Sequence, residues 1–298
     1  MKAKAWITAF RLRTLPLALA SIGMGSFLAA SEGNFQAGIF LFCALTTILL
    51  QILSNLANDY GDTINGADSE DRKGPQRMVQ TGQITLAAMR KAMAIFIVLT
   101  LASGIYLLYL AFGIEWEAFL FFFGLGLLSI LAALAYTAGR KPYGYMGLGD
   151  ISVLIFFGLV GVLGSYYLYA QQLKLYLLLP AMSCGLFSVA VLNVNNIRDI
   201  DSDKKAGKYS IPVRVGREKA VIYHWFLILT GIVAAVVYTI LNFETYWQLL
   251  FLLVTPLLIK NGLAVASKKE SHELDPFLKQ MAISTLLFVC LFGIGLLI

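Results

Sequence analysis

The sequence predicts an all-α, polytopic membrane protein with nine transmembrane helices and its N-terminus on the cytoplasmic side. Three observations predict it. The 298-residue chain is 59% apolar and 13% charged, with a mean hydropathy of +0.76, whereas soluble domains carry about twice that charge fraction. Nine apolar stretches come close to the roughly twenty residues a helix needs to cross the hydrocarbon core. With the N-terminus inside, every lysine and arginine except Lys174 falls on the inner side, in keeping with the positive-inside rule. A missed or extra helix would scramble that distribution. The runs are long and continuous rather than alternating, which argues against a β-barrel. They read as one transmembrane domain over residues 1–298.

The first span, 13–31, follows Lys2, Lys4, Arg11 and Arg13. It is long for a signal-peptide core and reads as an uncleaved helix. The second, 36–57, runs into NLANDYGDTINGADSEDRK, where Asp59, Asp62, Asp68, Glu70 and Asp71 crowd together. Spans 92–113 and 117–137 follow, and a turn with Arg140 and Lys141 leads to 150–170. The sixth span, 174–195, runs into a second acidic segment, NNIRDIDSDKKAG, and spans 220–241, 245–266 and 278–298 complete the set. Cys43, Cys184 and Cys290 lie inside apolar runs with no metal-like or disulfide spacing and behave as small hydrophobes. His224 and His272 have no partner at ligand spacing and read as structural or solvated. The net charge of +6 is topogenic, and no basic-aromatic motif points to nucleic acid.

The acids need another reason, because Asp and Glu contribute little to topology. Asn195, Asp199 and Asp203 are spaced i, i+4, i+8 and share one helical face. Asn58 and Asp62 repeat that spacing, and so do Asn55 and Asp59 one turn earlier; spacing alone does not choose between the two registers. Each segment follows an even-numbered span, so the chain reads as a duplicated four-helix unit plus one helix. An oxygen-only donor set suits Mg²⁺, Ca²⁺ or Mn²⁺. An EF-hand is excluded, because Lys204 and Ser210 stand where its Gly and Glu belong. Mg²⁺ takes one or two carboxylates and leaves its other positions to water and phosphate. Arg72, Arg77, Arg198, Lys204 and Lys208 interleave with the acids. Acid for a metal beside base for phosphate oxygens is what a Mg²⁺-diphosphate site requires.

NDYGDTINGAD and NNIRDIDSDKKAGK resemble the two Asp-rich motifs of the UbiA superfamily of intramembrane aromatic prenyltransferases. Asn58, Asp59 and Asp62 fit the first motif, Gly66 stands where its last Asp is expected, and Asp68 comes two residues later. That departure resembles the naphthoate branch, MenA, as do RLRTLPLALA, DRKGPQR and RKPYGYMGLGDIS. The resemblance covers nearly the whole chain. It implies a UbiA-like nine-helix bundle in the cell (inner) membrane, with its active site on the cytoplasmic side. The implied reaction moves a polyprenyl group from polyprenyl diphosphate to 1,4-dihydroxy-2-naphthoate with loss of CO₂ and diphosphate, giving demethylmenaquinol for menaquinone. The implied cofactor is Mg²⁺.

On that reading Asn58, Asp59, Asp62, Asp68, Asn195, Asp199 and Asp203 hold metal, and Asp62, Asp199, Asp203 and Lys141 carry the catalysis. Arg72, Arg77, Lys204, Lys208, Asn196, Tyr143 and Asp150 bind substrate. For Asp150 a helix-cap role at the start of span five is the competing reading. Tyr136, Tyr143, Tyr145, Phe156 and Phe157 are rings that could face an allylic cation. A UbiA-type enzyme for 4-hydroxybenzoate, homogentisate or haem is one alternative. A cation transporter is the other, since intramembrane acids and repeats also mark ion pathways. Against the transporter, the acids lie at helix ends.

Overall fold

A computed structural model of the chain describes residues 2–65, 77–139 and 141–298. Among these residues nine helices are long and apolar enough to cross a bilayer. They are α1 (Ala3–Ser31), α2 (Ala37–Ile64), α3 (Leu86–Phe112), α4 (Trp116–Ala135), α5 (Gly149–Ala170), α6 (Leu175–Arg198), α7 (Arg217–Leu241), α8 (Tyr246–Ser267) and α9 (Ser271–Leu297). Each sits on an expected apolar window, and several run past it. α2 continues through Ile64 instead of ending near 57, and α6 continues through Arg198. A hydropathy window stops where charge begins, but a helix stops where its hydrogen-bond ladder does. The polar residues in these last turns have partners that let the ladder go on.

α1 is interrupted near its start. Lys2–Phe10 is a helix of its own, Arg11 takes a left-handed φ of 48°, and a second helix runs from Leu15 to Ser31. Left-handed backbone is uncommon for a residue with a Cβ. The break lets the Arg11 guanidinium pair with Asp59 on α2.

α6 and α1 are the buried centre, with 67% and 56% of their apolar windows buried, against 6% for α4. α6 packs against α5, α7 and α9, and α1 against α9, α5 and α2. Small residues bring backbones close, which is how membrane helices gain packing energy without a hydrophobic drive. A Cβ on Gly185 would stand 2.9 Å from the Gly158 Cα and 2.8 Å from the Leu154 side chain. One on Gly293 would overlap the Phe27 ring and so sits at a closed α1–α9 contact. Phe187, Phe251, Phe288 and Phe292 pack edge-on and stacked between α6, α8 and α9. A second cluster, including Ala9, Leu53, Leu56, Met78 and Met89, binds the N-terminal helix to α2 and α3 at the acidic end.

Lys174, the exception to the inner-base pattern, has a local partner. Its Nζ lies 2.8 Å from Glu32, which also accepts the Tyr166 hydroxyl at 2.6 Å. Burial pushes the Glu32 carboxyl up, but Lys174 and Tyr166 outweigh it and hold the group below its ordinary value. His224 is fully buried, with Nε2 2.9 Å from Asn261 Oδ1, in line with a structural role.

Gly185→Leu should therefore lower the melting temperature of the detergent-solubilised protein, by about 1–3 kcal/mol of overpacking. Gly124→Ala, where an added Cβ meets nothing within 4 Å, should be neutral or slightly stabilising. Equal melting temperatures for the two variants would contradict the packing described.

Candidate active site

The last turns of α2 and α6 come together at one end of the bundle. On α2, Asn55 is occupied: its Nδ2 donates to Phe10 O at 2.9 Å and to Thr14 Oγ1 at 3.0 Å. Asp59, one turn on, pairs with Arg11 and lies 3.8 Å from Arg77 Nε. Asp62 is 5% exposed, accepts the Tyr145 hydroxyl at 2.7 Å and pairs with Arg77. Asn58 is half-buried, and its Oδ1 accepts from Thr137 Oγ1 at 3.2 Å. Arg77 donates to the Asn58 carbonyl at 2.8 Å. Gly61 makes this approach possible, since a Cβ there would come 2.6 Å from the Thr137 carbonyl.

On α6 the fork of buried Arg198 closes on Asp199 at 2.8 and 2.7 Å. The same guanidinium donates to Asn195 Oδ1 at 2.9 Å and to Asp275 at 2.5 Å. A short helix, Ile200–Lys205, then carries Asp203. Gly207 turns the chain at a φ of 71°. The Lys208 N–H donates to the Asp203 carbonyl at 2.8 Å, and its Nζ returns to the carboxylate at 3.1 Å.

The two acidic segments share one electrostatic neighbourhood. Burial raises the Asp203 pKa, and the nearby Asp199 and Asp62 carboxylates add to the rise while Lys208 opposes it. Burial alone would lower the Lys208 pKa, but Asp203, Tyr136 and Asp62 outweigh it and push it up to about 12. Lys208 thus pairs with Asp203 and also feels the Asp62 carboxylate of the first segment. The loops are stitched as well. The Tyr209 N–H donates to the Tyr145 carbonyl at 2.9 Å, and Arg214 donates to the Met146 and Tyr209 carbonyls at 2.8 and 2.9 Å.

The remaining expected residues divide. Asp150 is buried and accepts the Tyr223 hydroxyl at 3.1 Å. Tyr143 donates to the Ala132 carbonyl at 3.0 Å and lies 2.9 Å from Ser152 Oγ. Asn196 is buried, and its Oδ1 has no hydrogen-bond partner among the described residues. Lys141 and Lys204 are exposed and form no ion pair among the described residues. Asp68 and Arg72 lie outside the described residues.

Two cavities adjoin this end. An apolar chamber of about 280 Å³ is enclosed by α1 to α5. Tyr136, Tyr143, Phe156 and Phe157 line it, whereas Tyr145 turns to Asp62. A Cβ on Gly149 would stand 3.0 Å from the Tyr136 hydroxyl, so GLGD leaves room for that ring. Burial pushes the Tyr136 pKa up to about 12, so it stays a neutral donor. The second cavity, about 290 Å³, is walled by Arg11, Arg13, Arg77 and Arg198 with Asp59 and Asn195, beside apolar Ile7, Leu12 and Met78.

Arg11, Asp275, Thr137 and Tyr223 were not expected from the sequence. Arg11 reads there as a topogenic base, and nothing in chain spacing joins Asp275 to Arg198 or Tyr223 to Asp150. The donor set suits a hard divalent cation. It offers carboxylate and amide oxygens, with a buried unpartnered acceptor on Asn196. No three acidic, His or Cys side chains among the described residues close a cage by themselves, so water and ligand oxygens would complete the shell, as Mg²⁺ prefers.

Comparison with known proteins bears on what this end binds. Residues 18–292 match the UbiA prenyltransferase family. A Haemophilus influenzae protein named 1,4-dihydroxy-2-naphthoate octaprenyltransferase is 44% identical over 299 residues, covering 100% of this chain and 97% of that one. A UbiA homolog from Aeropyrum pernix superposes with a TM-score of 0.69 at 17% identity, covering 97% of this chain and 98% of that one. A UbiA homolog from Archaeoglobus fulgidus bound to DMAPP and Mg²⁺ superposes with a TM-score of 0.62 at 17% identity, covering 96% and 98%. At those identities the structures speak for the fold.

Millimolar Mg²⁺ should raise the melting temperature of the purified protein; at a hundred times Kd the stabilisation is about 2.7 kcal/mol. Asp203→Asn should remove most of that shift. An undiminished shift in the variant would take Asp203 out of the metal site.

Proposed function

The chain belongs to the UbiA prenyltransferase family, and from that premise we propose that it joins a polyprenyl chain to 1,4-dihydroxy-2-naphthoate, releasing CO₂ and diphosphate and giving demethylmenaquinol for menaquinone. The observation that carries this is the meeting of two acidic segments around Lys208 beside an apolar chamber. Diphosphate chemistry needs the first, and an isoprenoid needs the second.

Asp62, Asp199, Asp203 and Asn58 would hold divalent metal, with Asn195 and Asn196 at its edge. Asn55 is committed to α1, which favours Asn58–Asp62 as the ligand pair over Asn55–Asp59. The cation, when bound, would stabilise the charge that builds on the departing diphosphate. The chain's own bases do related work. Lys208 and Arg77 already stand at the carboxylates, so they meet the phosphate oxygens as the C–O bond breaks.

The allylic carbon left behind is electron-poor and would be captured by water. The walls of α1 to α5 exclude water, and the faces of Tyr136, Tyr143, Phe156 and Phe157 offer quadrupole stabilisation. The naphthoate ring carbon supplies the electron pair for the new C–C bond. Its carboxylate leaves as CO₂, and the electrons of that bond return to the ring. Arg13, which lines the second cavity and forms no ion pair among the described residues, would meet the acceptor's carboxylate before it leaves. The basic residues that set the topology would place this face on the cytoplasmic side of the cell membrane.

Purified protein with Mg²⁺ should transfer a radiolabelled prenyl group to 1,4-dihydroxy-2-naphthoate, and chelation should stop it. Asp62→Asn and Asp203→Asn should each lower kcat at least 100-fold, about 3 kcal/mol. Cation flux through liposomes without prenyl transfer would instead favour a transporter. Tyr145→Phe removes one hydrogen bond to a buried carboxylate, at a cost of about 1.5–3 kcal/mol. It should slow transfer some ten- to hundredfold and lower the melting temperature, while circular dichroism shows the variant still folded.

A further inference from the structure

Arg198 does more than neutralise one acid. It is 2% exposed, and its fork takes both oxygens of Asp199. Its Nη2 also donates to Asn195 Oδ1, so one guanidinium spans two of the expected metal ligands. Nη1 is left to anchor the group from outside that pair, and it donates to Asp275. Arg198 therefore carries two acids where one would neutralise it.

The second acid is held in place from behind. Asp275 begins the α-helical part of α9, Asp275–Leu297. Leu274 and Met281 are fully buried, and this end of α9 packs on α6 and on Leu12–Thr14. Its first turn is also pinned to α8 and α7. Asn261 Nδ2 donates to the Phe277 carbonyl at 2.8 Å, and Asn261 Oδ1 lies 2.9 Å from His224 Nε2. The Asp275 side chain is 37% exposed, and that contact with water lowers the cost of a second acid at a buried base. Its charge also reaches Arg13, which lines the second cavity beside Arg198. An acid in the first turn of a helix is favourable by dipole alone, but that preference does not require it to point at Arg198.

Resting on the metal reading of Asp199 given above, we propose that Asp275 is a positioning residue for the metal site and acts through Arg198. A carboxylate has about four acceptor directions, and a bidentate guanidinium leaves the others open. Asp199 shares its charge once a cation is bound, and buried Arg198 then lacks a full partner. Asp275 supplies the missing charge and holds the fork in one plane. Asp199 and Asn195 thereby keep the orientation set by their bonds to Arg198. Side chains that hold a metal's ligands change its affinity about tenfold or more when they are removed. The sign of the effect is specific as well. Without the Asp275 charge the surroundings of Arg198 and Arg13 become more positive, which disfavours a cation and favours the acceptor's carboxylate.

The test measures Mn²⁺ binding to the purified protein by electron paramagnetic resonance without substrates, since Mn²⁺ shares the oxygen ligands of Mg²⁺. It then measures the naphthoate KM of prenyl transfer at saturating Mg²⁺. In Asp275→Asn the Mn²⁺ dissociation constant should rise roughly tenfold, while the naphthoate KM does not rise. Asp275→Glu, which keeps the charge, should restore most of the affinity. Glu273→Gln breaks a 2.8 Å pair with Lys268 on the same segment and should leave both constants at wild-type values. Circular dichroism and melting temperature report folding. If Asp275→Asn does not fold, Asp275→Ser removes the same charge with a residue suited to a helix start and takes its place. Wild-type Mn²⁺ affinity in the folded, charge-removing variant overturns the proposal. So does a parallel rise of both constants, or an equal loss in Glu273→Gln, because α9 is then merely damaged. Wild-type protein that neither binds Mn²⁺ nor transfers a prenyl group overturns the functional reading itself.

Discussion

Carboxylates buried at the end of an apolar bundle have to be neutralised, and the acidic end is built around that requirement. An uncompensated buried carboxylate costs several kcal/mol, so each acid is held by a basic side chain. Arg77, from the segment before α3, serves Asp62; Arg198 serves Asp199 and Asp275; Lys208, beyond the turn at Gly207, serves Asp203. The bases arrive from different elements. The pairing is therefore complete only when the loops are docked, and the stitching of Tyr209 to Tyr145 and of Arg214 to Met146 belongs to the electrostatics as much as to the fold.

A balanced site responds to what enters it. Asp59, Asp62, Asp199, Asp203 and Asp275 face Arg11, Arg77, Arg198 and Lys208, with Arg13 in the same cavity wall, so neither sign is in surplus among these groups. A diphosphate alone would tip the balance towards negative charge, and a divalent cation alone towards positive. Entering together, they leave it nearly unchanged, which is the cheaper route in a weakly screening environment. Each base that moves from carboxylate to phosphate exchanges one charge-assisted bond for another. Arg198 is less free to do so, because it holds Asp199, Asn195 and Asp275 at once.

The spans were legible because bilayer thickness fixes the length of an apolar run and because basic residues mark one side. Their ends were not. Asp59 and Asp62 look like the start of a loop in the sequence, yet they lie on α2, because Arg11, Arg77 and Tyr145 give their charges somewhere to go. The meeting of the two acidic segments could be expected from matched spacing after even-numbered spans. The register of the first pair could not. The register proposed for it rests on Asn55 reaching Phe10 O, beside the break at Arg11. Asp275 is 77 residues from Arg198, and no local pattern connects them.

The repeat seen in the sequence also shows where symmetry ends. α2 carries Asp59 and Asp62 in its last turns and α6 runs directly into Asp199, and on that count the halves are alike. Their interiors are not. The first half, with α5, encloses the chamber, while the space among α6, α8 and α9 is filled by Phe187, Phe251, Phe288 and Phe292. Packing is dense where α1 and α6 meet their neighbours and thin around α4. In lipid that thinness costs little, because acyl chains are as apolar as the side chains they replace. One half can thus be spent on rigidity, holding the second acidic segment in register. The thinly packed half exposes apolar side chains to acyl chains without the aggregation hazard that the same surface would carry in water.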